Sequence, residues 1–253
     1  MKLALNPQIA EQYKSLPNKV KVMTETWVDD EIFCPNCGVN IENYENNRPV
    51  ADFYCPNCSE DYELKSKKDK LGNKIVDGAY RTMIERLKSA NNPNFFFLNY
   101  NAQNFEVLNF AVIPKHFFVP EIIIKRNQGI PNRPNYIMCS IDLTGIPESG
   151  KIFYIKNKQA ADKKIVLKNW NKTLFLRESK NIELRGWILD IMNCVEKLGK
   201  REFSLNEVYN FEDDLKIKHP DNKHIKDKIR QQLQFLRDKG YLEFKGGGKY
   251  KVS

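Results

Sequence analysis

The chain has 253 residues, 41% of them hydrophobic and 29% charged, with a formal net charge of +9. That length fits one large domain or two ordinary ones, and no run approaches the roughly 18–20 apolar residues that a membrane span needs. The basic balance points weakly to a polyanionic partner, and the opening MKLALNPQIAEQYK has no apolar signal core, so a cytoplasmic protein is expected.

In chain order, Ile9, Tyr13 and Leu16 repeat at helical spacing up to Pro17, where a helix is expected to end. A second short helix is expected over 21–29. Next come two copies of one tetrapeptide, Cys34-Pro-Asn-Cys37 and Cys55-Pro-Asn-Cys58, separated by 17 residues. Two C-x-x-C knuckles at such spacing match a four-thiolate zinc site. Four thiolates close the tetrahedron, so the zinc is expected to be structural. The alternative, a redox dithiol, normally uses a single C-x-x-C. Cys139 and Cys194 stand alone among apolar residues and read as small buried hydrophobes.

Strands are expected over 50–54 and 61–65, within and after the knuckles. Asp77 is a candidate cap for a helix over 79–90, with Tyr80, Met83, Ile84 and Leu87 on one side. Strands follow at 95–98, 106–113 and 150–155, and 127–136 reads as a loop. The C-terminal quarter changes style. Apolar positions 184, 188, 191, 192, 195 and 198 make one helix. Ser204 with Glu207 forms a capping box for a second, carrying Leu205, Val208, Phe211 and Leu215. Asn222 is a candidate cap for a third, with Ile225, Ile229, Leu233 and Leu236 inward and Gly240 as its stop. Strands over 241–245 and 249–252 flank three glycines. Three helices and a hairpin is the winged-helix order.

Charge agrees with that order. Residues 183–221 carry six basic and nine acidic side chains, whereas 223–253 carry nine basic and three acidic. The excess falls on the third helix and the hairpin, the elements such a fold offers to a groove. Lys223, Lys226, Arg230, Gln231 and Gln234 are candidate DNA contacts. A solvated helix face, or a winged helix used for protein contacts, is the alternative.

Asp52 lies on the first expected strand and Glu63-Leu64-Lys65 on the second. Strand side chains alternate, so Glu63 and Lys65 share one face. If the strands are neighbours, two carboxylates meet and form a hard oxygen site suited to Mg²⁺. Lys65 can then orient or help deprotonate the attacking water. As a bare motif E-x-K is weak, and Lys65, Lys67 and Lys68 are as readily explained as solvated strand lysines.

The pattern Asp52…Glu63-Leu64-Lys65 resembles the PD-(D/E)XK nuclease superfamily. The longer blocks resemble the methyl-directed type II restriction endonucleases of the DpnI family. They are Asn46-Asn47-Arg48-Pro49-Val50-Ala51-Asp52-Phe53-Tyr54-Cys55, Glu63-Leu64-Lys65-Ser66-Lys67-Lys68, Asn91-Asn92-Pro93-Asn94-Phe95-Phe96-Phe97-Leu98, His224-Ile225-Lys226 through Arg230-Gln231-Gln232-Leu233, and Phe244-Lys245-Gly246 with Gly248-Lys249-Tyr250. The resemblance covers nearly the whole chain. It implies an α/β (α+β) PD-(D/E)XK nuclease core with an inserted four-cysteine zinc site (Cys34, Cys37, Cys55 and Cys58) over 1–180, and a C-terminal winged-helix domain over 181–253.

It further implies cleavage of double-stranded DNA at GATC carrying N6-methyladenine. Asp52, Glu63 and Lys65 would be catalytic, with Asp52 and Glu63 holding Mg²⁺, and both domains would contact DNA. Lys67 and Tyr136 join the candidate contacts, Tyr136 standing where the family has a larger aromatic. That ring can stack on a base or pack a methyl group, and it can equally be core. One departure is that Pro49, not the residue directly before Asp52, supplies the proline. A monomer is expected. A zinc-stapled DNA-binding regulator without catalysis, or a nuclease with another target, remains the competing reading. A regulator, however, has no use for carboxylates that repel phosphate.

Overall fold

The computed structural model describes residues 1–44, 51–70, 72–89, 92–179 and 181–253. Its first helix, α1 (Leu16–Glu31), begins where the sequence pattern suggested a stop. Proline lacks an N–H and has a fixed φ, which suits the first turn of a helix as well as the residue after its end. Ser15 caps the Asn18 N–H, so the helix expected over 21–29 runs 16 residues from Leu16, and the one expected before Pro17 is replaced by a 3₁₀ turn at Gln8–Ala10 and irregular chain.

There follow β1 (Glu42–Asn43), β2 (Phe53–Tyr54), β3 (Asp61–Lys68), β4 (Lys74–Ala79), α2 (Tyr80–Lys88), β5 (Asn94–Tyr100) and β6 (Val107–Ile113). Beyond them lie β7 (Ile123–Lys125), β8 (Met138–Asp142), β9 (Ile152–Lys156), β10 (Gln159–Ala160) and α3 (Lys163–Asn171). The main sheet runs β1-β2-β3-β5-β6-β9-β10, antiparallel except for the parallel pair β3–β5. A parallel pair needs a long crossover, and this one carries β4 and α2. Strand β4 leaves the main sheet and pairs with β8 in a second sheet, β4-β8-β7.

The expected strand over 50–54 contracts to Phe53–Tyr54, with 45–50 outside the described residues. The strand expected over 61–65 continues to Lys68. Asp77 does not cap a helix. It lies in β4, and α2 starts after Ala79 with no side-chain cap.

Strand β5 is buried along its whole length. Alternation sends Phe96 and Leu98 into one cluster, with Trp27, Tyr62, Phe110, Tyr154 and Trp170. Phe95 and Phe97 enter a second, with Met83 and Leu87 of α2. Tyr62 stacks on Phe96 with ring centres 4.5 Å apart.

The C-terminal part consists of α4 (Ile182–Lys197), β11 (Glu202–Ser204), α5 (Leu205–Tyr209), α6 (Glu212–Lys218), α7 (Ile225–Asp238), β12 (Leu242–Gly246) and β13 (Lys249–Val252). Its sheet runs β11-β13-β12. The Ser204–Glu207 capping box forms, but the helix it opens breaks after Tyr209 and resumes as α6. Asn222 accepts from the His224 N–H rather than capping α7, which starts at Ile225. The inward residues of α7 are buried as expected. Helix α4 is buried almost continuously from Gly186 to Val195 and belongs to the cluster that holds both Phe95 and Leu233.

Phe96→Ala should cost about 3–5 kcal/mol in unfolding free energy, read from urea titrations. Ile217→Ala, 80% exposed on α6, should stay within about 0.5 kcal/mol.

Candidate functional site

The two knuckles are built alike. Gly38 N–H donates to the Cys34 carbonyl and Cys34 N–H to that of Val39; Ser59 N–H donates to the Cys55 carbonyl and Cys55 N–H to that of Glu60. Each turn ends in a left-handed residue, Gly38 at φ +81° and Ser59 at φ +56°. The four sulfurs all lie within 4.8 Å of one another, with Cys34–Cys58 and Cys37–Cys55 at 3.4 Å. A zinc–sulfur bond of ~2.3 Å asks for sulfurs about 3.8 Å apart, so the cluster fits a tetrahedral ion. Burial pushes the Cys34 and Cys55 thiols up, and a cation is what would hold all four sulfurs as thiolates.

The second knuckle is the turn between β2 and β3. Phe53 stands opposite Tyr62; Asp52, expected on the strand, lies just before β2 and outside its ladder, its N–H donating to the Tyr62 carbonyl at 2.9 Å. The Asp52 carboxylate accepts from the Leu64 N–H at 2.7 Å. Buried Glu60, at the foot of β3, accepts from Asn94 at 2.9 Å and pairs with Arg177 at 2.7 Å, which ties the hairpin to β5.

Glu63 and Lys65 lie on the face of β3 that carries Phe95 and Phe97 on β5. Lys65 Nζ stands 2.6 Å from Glu63 and 2.5 Å from Asp77. Arg86 of α2 donates to the other Glu63 oxygen at 2.7 Å. Burial raises the Asp52 carboxyl, and the Glu63 charge adds to it against the Leu64 N–H. Burial by itself would lower the Lys65 ammonium, but Glu63 and Asp77 outweigh it and raise the group above its usual value. The structure thus brings Asp52, Glu63 and Lys65 together and adds Asp77 and Arg86. The signal missed for Asp77 was the run Lys74-Ile75-Val76-Asp77, whose alternation buries Ile75 and Asp77 and exposes Val76.

Tyr136 precedes β8 and is 37% exposed. Its hydroxyl lies 3.6 Å from where a β-carbon on Gly78 would stand, next to Asp77. Lys67 is exposed further along β3. Lys226, Arg230, Gln231 and Gln234 share the exposed side of α7, and Lys223 is exposed just before it. Lys226 pairs with Glu212 at 3.2 Å, and Arg230 pairs with Asp227.

Residues 1–179 match the family model described as DpnI, Dam-replacing family, and residues 183–252 match the one described as DpnI_C, Dam-replacing HTH domain.

Metal analysis of the purified protein should find about one zinc per chain. Cys37→Ser should lose it along with several kcal/mol of stability; a metal-free variant as stable as its parent would contradict the cluster's role. Asp52 gives a second expectation. A carboxyl whose folded pKa is raised weakens the fold once the pH exceeds that pKa, and the penalty vanishes below the unfolded value. Asp52→Asn should therefore melt higher in magnesium-free buffer near neutral pH, by roughly 2–4 °C per kcal/mol relieved. The gain should shrink as the pH falls through the carboxylate range.

Proposed function

The chain belongs to the DpnI, Dam-replacing family, and from that membership and the acidic corner of β3 we propose that it hydrolyses phosphodiester bonds in double-stranded DNA at GATC sites carrying N6-methyladenine. The observation that carries the reading is the meeting of Asp52, Glu63 and Lys65 beside a tight cysteine cluster. Three acids, Asp52, Glu63 and Asp77, crowd one corner with Lys65 and Arg86. Such an arrangement is unfavourable for binding a polyanion unless a divalent cation sits between.

Asp52 and Glu63 offer the hard oxygen donors that suit Mg²⁺. Bound there, the ion would screen the phosphate and stabilise charge on the leaving oxygen. The chain's own groups do the rest. Lys65 is held by Glu63 and Asp77 as a fixed ammonium, a donor that orients water or a phosphate oxygen. Asp77 keeps Lys65 at the reacting centre, and Arg86 fixes the Glu63 carboxylate from α2. The core is read as PD-(D/E)XK and the four cysteines as a structural Zn²⁺ site. The C-terminal part, with its second helix broken into α5 and α6 and its hairpin joined by β11, is read as a winged helix that contacts DNA through α7. The adenine methyl adds apolar surface in the major groove, worth ~1 kcal/mol if a snug pocket receives it. Exposed Tyr136 is the aromatic candidate for that contact on the catalytic side. The family match and the clustered acids favour this reading over a regulator without catalysis.

Adenine-methylated and unmethylated plasmids digested side by side with Mg²⁺ test the proposal. Cutting of the methylated plasmid alone is expected, and equal cutting of both would defeat the methyl-directed reading. Glu63→Gln and Lys65→Ala should each slow cleavage by about a hundredfold or more while DNA binding persists. Arg230→Ala should weaken binding and reduce the salt slope of log K by about 1; an unchanged slope would count against α7 as the reader.

A further inference from the structure

Away from the acidic corner, a cavity of about 520 Å³ lies where the end of α2, the Lys115–Phe117 turn, the Leu174–Glu178 turn and the first turn of α4 meet. Asn92, Lys88, Lys115, His116, Arg177 and Arg185 line it, and no lining residue is acidic. Asn92 is 8% exposed and His116 1%. Both polar side-chain atoms of Asn92, Nε and Nη2 of Arg177, Nε of Arg185 and Nδ1 of His116 are buried without a hydrogen-bond partner among the described residues. Buried polar atoms are nearly always satisfied, so a concentration of exceptions round one cavity asks for a ligand.

Their chemistry narrows what that ligand is. Asn92 Nδ2, the two Arg177 nitrogens and Arg185 Nε are donors, so it must present several acceptor oxygens. Glu60 is the carboxylate that serves this group, through Arg177 Nη1 at 2.7 Å and Lys115 at 3.6 Å, from outside the cavity lining. The remaining positive charge calls for an anion. Two unpaired acceptors belong to residues of the same lining. Asn92 Oδ1 is one. His116 Nδ1 is the other: Thr173 Oγ1 gives its proton to the Trp170 carbonyl, so it accepts from His116 Nε2–H at 3.0 Å. Burial, with Arg177, Arg185 and Lys115 nearby, holds the imidazole neutral and leaves Nδ1 a bare lone pair. The anion must therefore also carry an O–H.

We infer that this cavity is a binding site for a hydrogen-phosphate group, orthophosphate being its simplest form. A phosphodiester and sulfate supply the oxygens and the charge but no O–H. The inference is independent of the nuclease reading.

Calorimetric titration of the full chain with sodium phosphate and with sodium sulfate, at matched ionic strength near neutral pH without magnesium, tests it. Phosphate should bind saturably at one site, and sulfate about tenfold more weakly or worse, because a site built around a hydroxyl rejects an analogue lacking it. Asn92→Asp should abolish phosphate binding, since its carboxylate would take the donors and repel the anion. Arg185→Gln should weaken binding while the melting temperature and zinc content report an intact fold. No saturable phosphate heat, equal binding of sulfate, or unchanged binding by folded Asn92→Asp would overturn the site. Competition with oligonucleotides near pH 6, where about half of a 5′-phosphate keeps its O–H, identifies the source. Displacement by a 5′-phosphorylated strand and not by its 5′-hydroxyl twin supports the site with a nucleic-acid end as ligand. Displacement by neither supports it with free phosphate as ligand. Equal displacement by both would mean backbone contact and overturn the assignment.

Discussion

The register of the β2–β3 hairpin is the constraint on which the rest of the molecule depends. The second cysteine knuckle closes it, Phe53 faces Tyr62, and Asp52 thereby receives the Leu64 N–H. A slip of one residue would turn Glu63 and Lys65 toward the face where Tyr62 stacks on Phe96 and leave Asp77 at the corner without them. A strand as short as β2 cannot hold such a register alone. It is held by the convergence of the cysteines at one end and by Glu60, bound to Asn94 and Arg177, at the foot of β3.

The corner is also where the fold gives up stability. Burial and the neighbouring Glu63 charge raise the Asp52 carboxyl, a cost that a core of similar size built from apolar groups would not carry. Lys65 and Arg86 compensate Glu63 only in part, since Lys65 is shared with Asp77. The basic side of α7 shows the opposite arrangement. Lys226 and Arg230 already hold Glu212 and Asp227, so a polyanion must displace weak, exposed pairs rather than meet bare cations.

How much was legible in the sequence follows from which signals are local. The doubled Cys-Pro-Asn-Cys spacing and the Glu63–Lys65 alternation are short-range, and both groups converge in the fold. The Ser204–Glu207 box is local too and forms as read. Pro17 was ambiguous because proline suits a helix start as well as its end. Asp77 and Arg86 reach the corner through a crossover whose strand β4 joins another sheet, a partnership set by Ile75, Cys139 and Ile141 packing far apart in sequence. The break between α5 and α6 was invisible because Leu205, Val208, Phe211 and Leu215 keep a helical period across it.

Helix α4 is buried on nearly every side along its middle, as a helix is when it is shared rather than laid on a surface. Asn193 donates to the Gly145 carbonyl on one side, while Tyr241 donates to Glu196 on another. The unit that carries α7 is thus welded to the nuclease body rather than leashed to it. Grafting a different C-terminal unit in its place would strip the cover from an interior, so this architecture tolerates point substitution on the exposed side of α7 far more readily than exchange of the whole module.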